Sequence, residues 1–283
     1  MNDPQFEWEI KSHRSAFKLN LGDTWHYRDL LWLMVRRDFV SFYKQTIFGP
    51  LWFFLQPIAT TIIFTFIFGD IARISTDGLP QALFYMAGII CWNYFSECLT
   101  KTSTVFRDNA HVFGKVYFPR IIVPLSIVVS NLARFAIQFL LFVATMIFFS
   151  LKGKVFEPNT YMLLLPVLVL LMAGLGLGCG MIISALTTKY RDLSFVLTFG
   201  IQLLMYTTTV IYPLSVAIKK YSWSWIMQFN PMTPIIEAMR YGFLGQGTFT
   251  WLLIGYSTLF ALAVIIIGIV VFNKVEKNFI DTV

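Results

Sequence analysis

Six long apolar stretches alternate along the chain with short polar or charged ones, at roughly 50–69, 82–100, 121–150, 160–187, 193–212 and 250–273. About 20 predominantly apolar residues carry a helix across the hydrocarbon core, so each stretch is predicted to span a membrane. The third and fourth are long enough to tilt or to project beyond it. The pattern predicts an all-α integral membrane fold with six transmembrane helices. It divides the chain into an arm (1–27), an amphipathic helix (28–48), a six-span region (49–273) and a tail (274–283). Residues 1–28 are polar and hold no apolar core of leader length, so the first span itself is expected to direct insertion.

The amphipathic helix has its apolar residues at Leu31, Val35, Phe39 and Phe42, which is helical spacing, with Arg36, Arg37 and Lys44 on the other side. Such a helix lies in a membrane interface, basic face toward headgroups and apolar face in the acyl boundary. Gly49-Pro50 then turns the chain into the first span, since proline is tolerated in a helix's first turn. The basic face serves either as an anchor that fixes topology or as a gate helix beside an entry site for an anionic lipid.

Composition supports the membrane assignment: 57% of residues are hydrophobic and only 13% charged, against about 25% charged in soluble domains. The net charge of +7 would suggest nucleic acid in a soluble protein, but its distribution points elsewhere. If the spans alternate, fifteen of the Lys and Arg residues fall on the side of the termini and six on the other (Arg73, Lys152, Lys154, Lys219, Lys220, Arg240), with Arg134 inside the third span. The positive-inside rule then places both termini in the cytoplasm. No nucleic-acid partner is expected. Cys91, Cys98 and Cys179 lie in apolar stretches and form neither a disulfide framework nor a zinc pattern.

Intramembrane catalysis needs ionisable groups held together at depth. The spans offer only Glu97 and Arg134, and the three histidines (His13, His26, His111) lie outside them. Neither a catalytic pair nor an internal repeat is evident. The chain also lacks the GxxxxGK[ST] phosphate loop, so a transport process driven by ATP would require the nucleotide on another polypeptide. The loop Lys101–Arg120, "KTSTVFRDNAHVFGKVYFPR", mixes charge with large apolar groups. It is either an amphipathic segment on the membrane or a coupling helix whose apolar residues anchor it in a partner's groove.

Four segments in order, "YKQTIFGPLWFFLQP" (Tyr43–Pro57), "KVYFPRIIVPL" (Lys115–Leu125), "YRDL" (Tyr190–Leu193) and "NPMTPIIEAMRYGFLG" (Asn230–Gly245), resemble the permease subunit of type-2 ABC exporters for polysaccharides of the O-antigen, capsule and teichoic-acid group. The resemblance runs from about Tyr27 to Lys277. It implies a homodimer joined by two ABC ATP-binding subunits, which carry ATP and Mg, and no cofactor in this chain. It implies a polysaccharide linked to undecaprenyl pyrophosphate as cargo, and a bacterial cytoplasmic (inner) membrane as location. Arg36, Arg37, Lys44, Phe48 and Gly49 would then lie at the lipid-pyrophosphate entry. Arg107, Val112, Phe113, Lys115, Tyr117 and Phe118 would form the coupling surface, and 213–249 would hold re-entrant helices on the external side. Residues 1–26 extend beyond the resemblance. A type-2 exporter of small hydrophobic compounds and a stand-alone membrane enzyme are the rival readings.

A sugar chain needs weak, repeated polar contacts and aromatic faces along its path. Residues four apart share a helix face, and three stripes fit: Gln56, Thr60 and Phe64; Ser126, Ser130, Arg134 and Gln138; and Thr198, Gln202, Tyr206 and Thr209, with Tyr212 at the exit. Polar groups in spans equally serve helix–helix hydrogen bonding. Arg134 needs water or a partner at depth. Glu97 is the candidate, although rises of about 21 Å from Arg120 and about 6 Å from Lys101, at 1.5 Å per residue, put the two at different depths. In "GLGLGCG" (Gly174–Gly180) the pairs Gly174/Gly178 and Gly176/Gly180 are expected to let neighbouring helices approach closely. Tyr221, Trp223, Trp225 and Tyr241 are expected at the membrane interface.

Overall fold

The computed structural model describes residues 25–44, 46–113, 118–154, 156–190, 192–220, 222 and 224–280. Within these, all regular structure is helical. The α-helices are α1 (Arg28–Tyr43), α2 (Trp52–Phe64), α3 (Gln81–Ser103), α4 (Val105–Asp108), α5 (Ala110–Phe113), α6 (Ile122–Leu151), α7 (Leu165–Lys189), α8 (Leu193–Tyr206), α9 (Leu214–Lys220), α10 (Trp225–Gln228), α11 (Met232–Leu244) and α12 (Trp251–Ile280). Among the described residues, four continuous helical runs are long and apolar enough to cross a membrane: Gly49–Ile71, Ile122–Leu151, Thr160–Lys189 and Trp251–Val275. They coincide with the first, third, fourth and sixth predicted spans.

The second and fifth differ for separate reasons. At 23 residues, α3 is long enough, at about 35 Å, but it is less apolar because most of its surface faces protein. Residues from Leu83 to Leu99 fill the main core, shared with α6, α7, α8, α11 and α12. The 14 residues of α8 reach only about 21 Å, and the chain then turns at Thr207, whose N–H donates to Leu204 O at 3.1 Å. The segment expected to be re-entrant contains the short helices α9, α10 and α11.

Two backbone features shape the first span. Gly49 has φ +52 with open space where a Cβ would lie, so glycine provides the left-handed turn between α1 and α2 at no steric cost. At the far end, Thr65–Ile71 is π-helical.

Glycines set the closest helix contacts. Gly176 and Gly180 of α7 face Cys98, Phe95, Leu99 and Thr102 of α3, whereas Gly174 and Gly178 face Val264 and Ile265 of α12. The two small-residue pairs thus serve two different neighbours.

A second core cluster gathers Met34 of α1, Val105 and Phe106 of α4, Phe113 of α5, Phe118, Ile122 and Val123, Met181 of α7 and Phe272 of α12. Phe106 stacks on Phe272 at 4.6 Å, and the Arg120 guanidinium lies 5.2 Å from the Phe113 ring centre. Part of the apolar face of α1 expected against acyl chains meets protein instead, with Met34 buried and Leu31 packed against this cluster. Its exposed face mixes Arg28, Arg36 and Arg37 with Trp32 and Leu33. The third turn fits α1 to α2 through Phe39, stacked on Phe53 at 5.7 Å.

Arg240 is also corrected, since it is no loop cation. Arg240 and Glu237 lie one turn apart on α11, each 1% exposed, with Nη1 3.1 Å from Oε1. Arg240 donates further to Thr209 O (2.5 Å), Val210 O (3.1 Å) and Phe84 O (3.2 Å). Glu237 accepts from Thr248 N at 3.0 Å and from Thr248 Oγ1 at 3.1 Å. The pair ties α11 to the end of α8, to α3 and to the loop before α12.

Candidate functional site

A polar cleft of about 130 Å³ opens between α2, α3 and α6. Phe53 and Gln56 come from α2. Asn93, Tyr94, Ser96 and Glu97 come from α3, and Asn131, Arg134, Phe135 and Gln138 from α6. The spacings of three and four residues within each set place them on one helix face.

Its electrostatics centre on Glu97. One carboxylate oxygen lies 3.1 Å from Lys101 Nζ and 3.4 Å from Arg134 Nη1. Arg134, with a side chain only 12% exposed, thereby satisfies the requirement for a partner at depth. Its guanidinium also sits 5.6 Å from the ring centre of Phe53. Counting rise from the two loop ends misjudged this pair because the helix ends are not level. Arg134 is twelve residues into α6 and Glu97 six from the end of α3, about 18 Å against about 9 Å, yet the side chains meet. The helices are offset along their axes, as the neighbouring contact of Asn131 Nδ2 with Cys98 Sγ at 3.8 Å also shows. In a double-mutant cycle with Glu97→Gln and Arg134→Gln, detergent-phase stability should reveal a coupling of about 1 kcal/mol; strictly additive losses would mean the pair contributes nothing.

Hydrogen-bonding groups line the rest of the cleft. Asn131 is 1% exposed and, among the described residues, its amide oxygen has no donor. Gln138 is buried at the wall and Gln56 exposed at the mouth. Tyr94 packs on Phe135 at 5.4 Å and donates to Val128 O at 3.5 Å. Through Phe53 the wall continues to Phe39 of α1.

Of the residues expected along a path, the structure brings together Gln56, Arg134 and Gln138. Thr60 is half-buried, its hydroxyl donating to Gln56 O at 2.9 Å, and Phe64 packs against Phe68 and Tyr85. Ser126 and Ser130 turn away, donating to Val123 O at 2.8 Å and Ile127 O at 3.0 Å. A strict spacing of four drifts by about 40° per step on a helix of 3.6 residues per turn, so the stripe on α6 runs off the cleft. Asn131 and Phe135 complete that face and were missed. Thr198, Gln202 and Tyr206 occupy an exposed face of α8 outside the cleft. Thr209 is buried beside Arg240, and the Tyr212 hydroxyl donates to Tyr206 O.

At the expected gate, Arg36, Arg37 and Lys44 are exposed, with Arg37 Nη2 2.8 Å from Asp38 Oδ1. Phe48 lies edge-on to Trp52 at 5.4 Å. In the expected coupling segment, Arg107 is exposed and donates to Asp108 Oδ1 at 2.9 Å and to Ser194 Oγ of α8 at 3.3 Å. Val112 is half-buried, while Phe113 and Phe118 are core residues of this chain, 6% and 5% exposed. Lys115 and Tyr117 lie outside the described residues. The exposed surface of α4 and α5 consists of Arg107, Asp108 and His111.

Comparison with known proteins gives a consistent result. The model of the family described as ABC-2 type transporter matches residues 29–244. An O-antigen export system permease protein, RfbA, from Klebsiella pneumoniae is 29% identical over 93% of this chain and 97% of its own length. One of the same name from Myxococcus xanthus is 27% identical over 77% and 81%. The polysialic acid transport protein KpsM of Escherichia coli is 25% identical over 81% and 86%.

Proposed function

This chain belongs to the ABC-2 type transporter family, and on that premise we propose that it is the membrane subunit of an ATP-driven polysaccharide exporter. The observation that carries this reading is the near full-length similarity to relatives named for O-antigen export and polysialic acid transport. The cleft lined by Gln56, Asn93, Asn131, Arg134 and Gln138 weighs against a small hydrophobic cargo, which gains nothing from such groups.

In the finer reading, two copies of the chain work with two ABC ATP-binding subunits that carry ATP and Mg. The cargo is a glycan on undecaprenyl pyrophosphate, in a bacterial inner membrane. Six spans are reached if α3 crosses within the bundle and α8 crosses with the turn that follows it. With Arg240 removed from the loop cations, five remain on one side against fifteen on the other, which favours cytoplasmic termini. On that side, α4 and α5 would meet the ATPase through Arg107, Asp108 and His111. Phe113 and Phe118 would hold these helices against α1 and α12, so a push on α4 would reach α1 and its exposed cations.

Deleting the coding sequence tests the proposal. Surface polysaccharide should fall at least tenfold while lipid-linked glycan accumulates inside the cell, and the intact chain should restore both. Unchanged surface polysaccharide would overturn it.

A further inference from the structure

Resting on that reading, we infer that Arg107 and Ser194 form an internal relay that passes movement of α4 to α8, so that Arg107 acts on its own chain as well as at the ATPase face. The first ground is how α8 is held. Only Ile201 within it is buried, with Leu197 and Met205 packed beside it against the main core. Just past its end the chain is gripped. Thr208, Thr209 and Val210 are each 0% exposed. Arg240 donates to the carbonyls of Thr209 and Val210, and Asn230 Nδ2 donates to Thr207 Oγ1 at 3.3 Å. The other end is different: Asp192 is exposed, Leu193 and Ser194 are half-buried, and the backbone follows from α7 through residues 190–192. A helix gripped at one end and thinly covered along its length pivots about the gripped end. Ser194 stands about 20 Å along the axis from Thr207, so a tilt of about 10° carries it about 3.5 Å.

The second ground is the tie at the mobile end. Arg107 Nη1 donates to Ser194 Oγ at 3.3 Å, across 87 positions of sequence, while its Nε donates to Asp108 Oδ1 at 2.9 Å. The other oxygen of Asp108 accepts from Thr104 Oγ1 at 2.6 Å. Asp108, itself fixed by Thr104, thus holds the guanidinium plane with one edge aimed at α8. The side chains of Arg107 and Asp108 are 43% and 52% exposed, so the link adds little to stability. What it supplies is direction. The end of α8 goes where α4 goes, and with it the exposed face that holds Thr198, Gln202 and Tyr206. Phe113 and Phe118 bind the α4 region to α1 and α12; Arg107 is the branch that reaches α8.

The test uses the full chain with its ATPase, in cells that make the glycan. Ser194→Ala leaves the exposed surface of α4 and α5 untouched. It should cut surface polysaccharide about threefold, the scale of one hydrogen bond, while chain abundance, co-purified ATPase and ATP hydrolysis by the purified complex stay at the parent level. Ser194→Asn, which keeps an acceptor, should export like the parent. Adding Ser194→Ala to Arg107→Met should bring no further loss, because both remove the same link. If Ser194→Ala is poorly made, Ser194→Cys, a weak acceptor, carries the same comparison. Export by Ser194→Ala at the parent level would overturn the inference, and so would a multiplied loss in the double variant. A fall in hydrolysis or in bound ATPase that matches the fall in export would also overturn it, by placing the fault at the ATPase face. The deletion strain separates the two readings. If it still displays polysaccharide, the exporter assignment fails; if it does not and Ser194→Ala exports like the parent, only the relay fails.

Discussion

Arg240→Ala should largely eliminate the folded protein from detergent extracts, by a loss of about 3–5 kcal/mol. The substitution removes the donor to Thr209 O, Val210 O and Phe84 O and leaves Glu237, 1% exposed, as a buried carboxylate without its cation. Folded proteins keep a margin of about 5–15 kcal/mol, so this is a large share of it. The loss should also be structural in pattern, because the guanidinium joins α11 to α3 and to the end of α8. A control separates the missing contacts from the stranded charge. Glu237→Gln combined with Arg240→Met leaves no buried charge and should be less damaging than Arg240→Ala alone. The measurement is the yield of monodisperse protein by fluorescence-detected size exclusion. A single variant as abundant and as heat-stable as the parent would show that the pair is not a brace.

The same pair shows where sequence reading stopped. Spans at 50–69, 121–150, 160–187 and 250–273 agree with helical runs to within a few residues, except at the end of α12, which continues to Ile280. Hydropathy resolves these because lipid-facing helices must be apolar on most of their surface. It cannot show whether an apolar stretch faces lipid or protein, and so α3 was recognised as a helix without its central place. Arg240 was counted among the external cations because 213–249 was read as an external re-entrant segment, and Glu237 was not singled out. The available signal was their i,i+3 spacing inside "PIIEAMRYGFL", where apolar neighbours leave a charge no partner but its own helix. The cleft was half legible. Gln56, Glu97, Arg134 and Gln138 were visible as polar residues in spans, with Glu97 named as the candidate partner of Arg134, but Asn93 and Asn131 joined them only through the offset of α3 against α6. Phe113 and Phe118 illustrate the opposite error. Large apolar groups in a loop were read as anchors for a partner, when the chain's own α1, α4 and α12 cover them.

Gly178→Ala should destabilise by about 3 kcal/mol, whereas Gly174→Ala, four residues away on the same face of α7, should cost well under half as much. Both glycines meet α12, but they meet different atoms. A Cβ on Gly178 would lie 2.8 Å from Ile265 N and from the Val264 carbonyl carbon. Those are backbone atoms of a helix and cannot turn aside, so α7 and α12 must separate. A Cβ on Gly174 would meet the Ile265 Cδ1 atom at 2.8 Å, the far end of a side chain that can change rotamer. Helix association in lipid rests on close packing rather than on a hydrophobic drive, so separation is not offset by other burial. Gly268 of α12 tightens the argument, since its own Cβ would lie 2.7 Å from Gly178 O. The two helices touch backbone to backbone at this one level. Gly200→Ala on α8, where nothing lies within 4 Å, should be neutral or stabilising by up to about 1 kcal/mol from helix propensity alone. Thermal midpoints of the three purified variants should therefore rank Gly200→Ala at or above the parent, Gly174→Ala slightly below it and Gly178→Ala far below. Equal effects at 174 and 178 would mean that α7 and α12 do not meet at the Gly178–Gly268 level, and the placement of both helices would need to change.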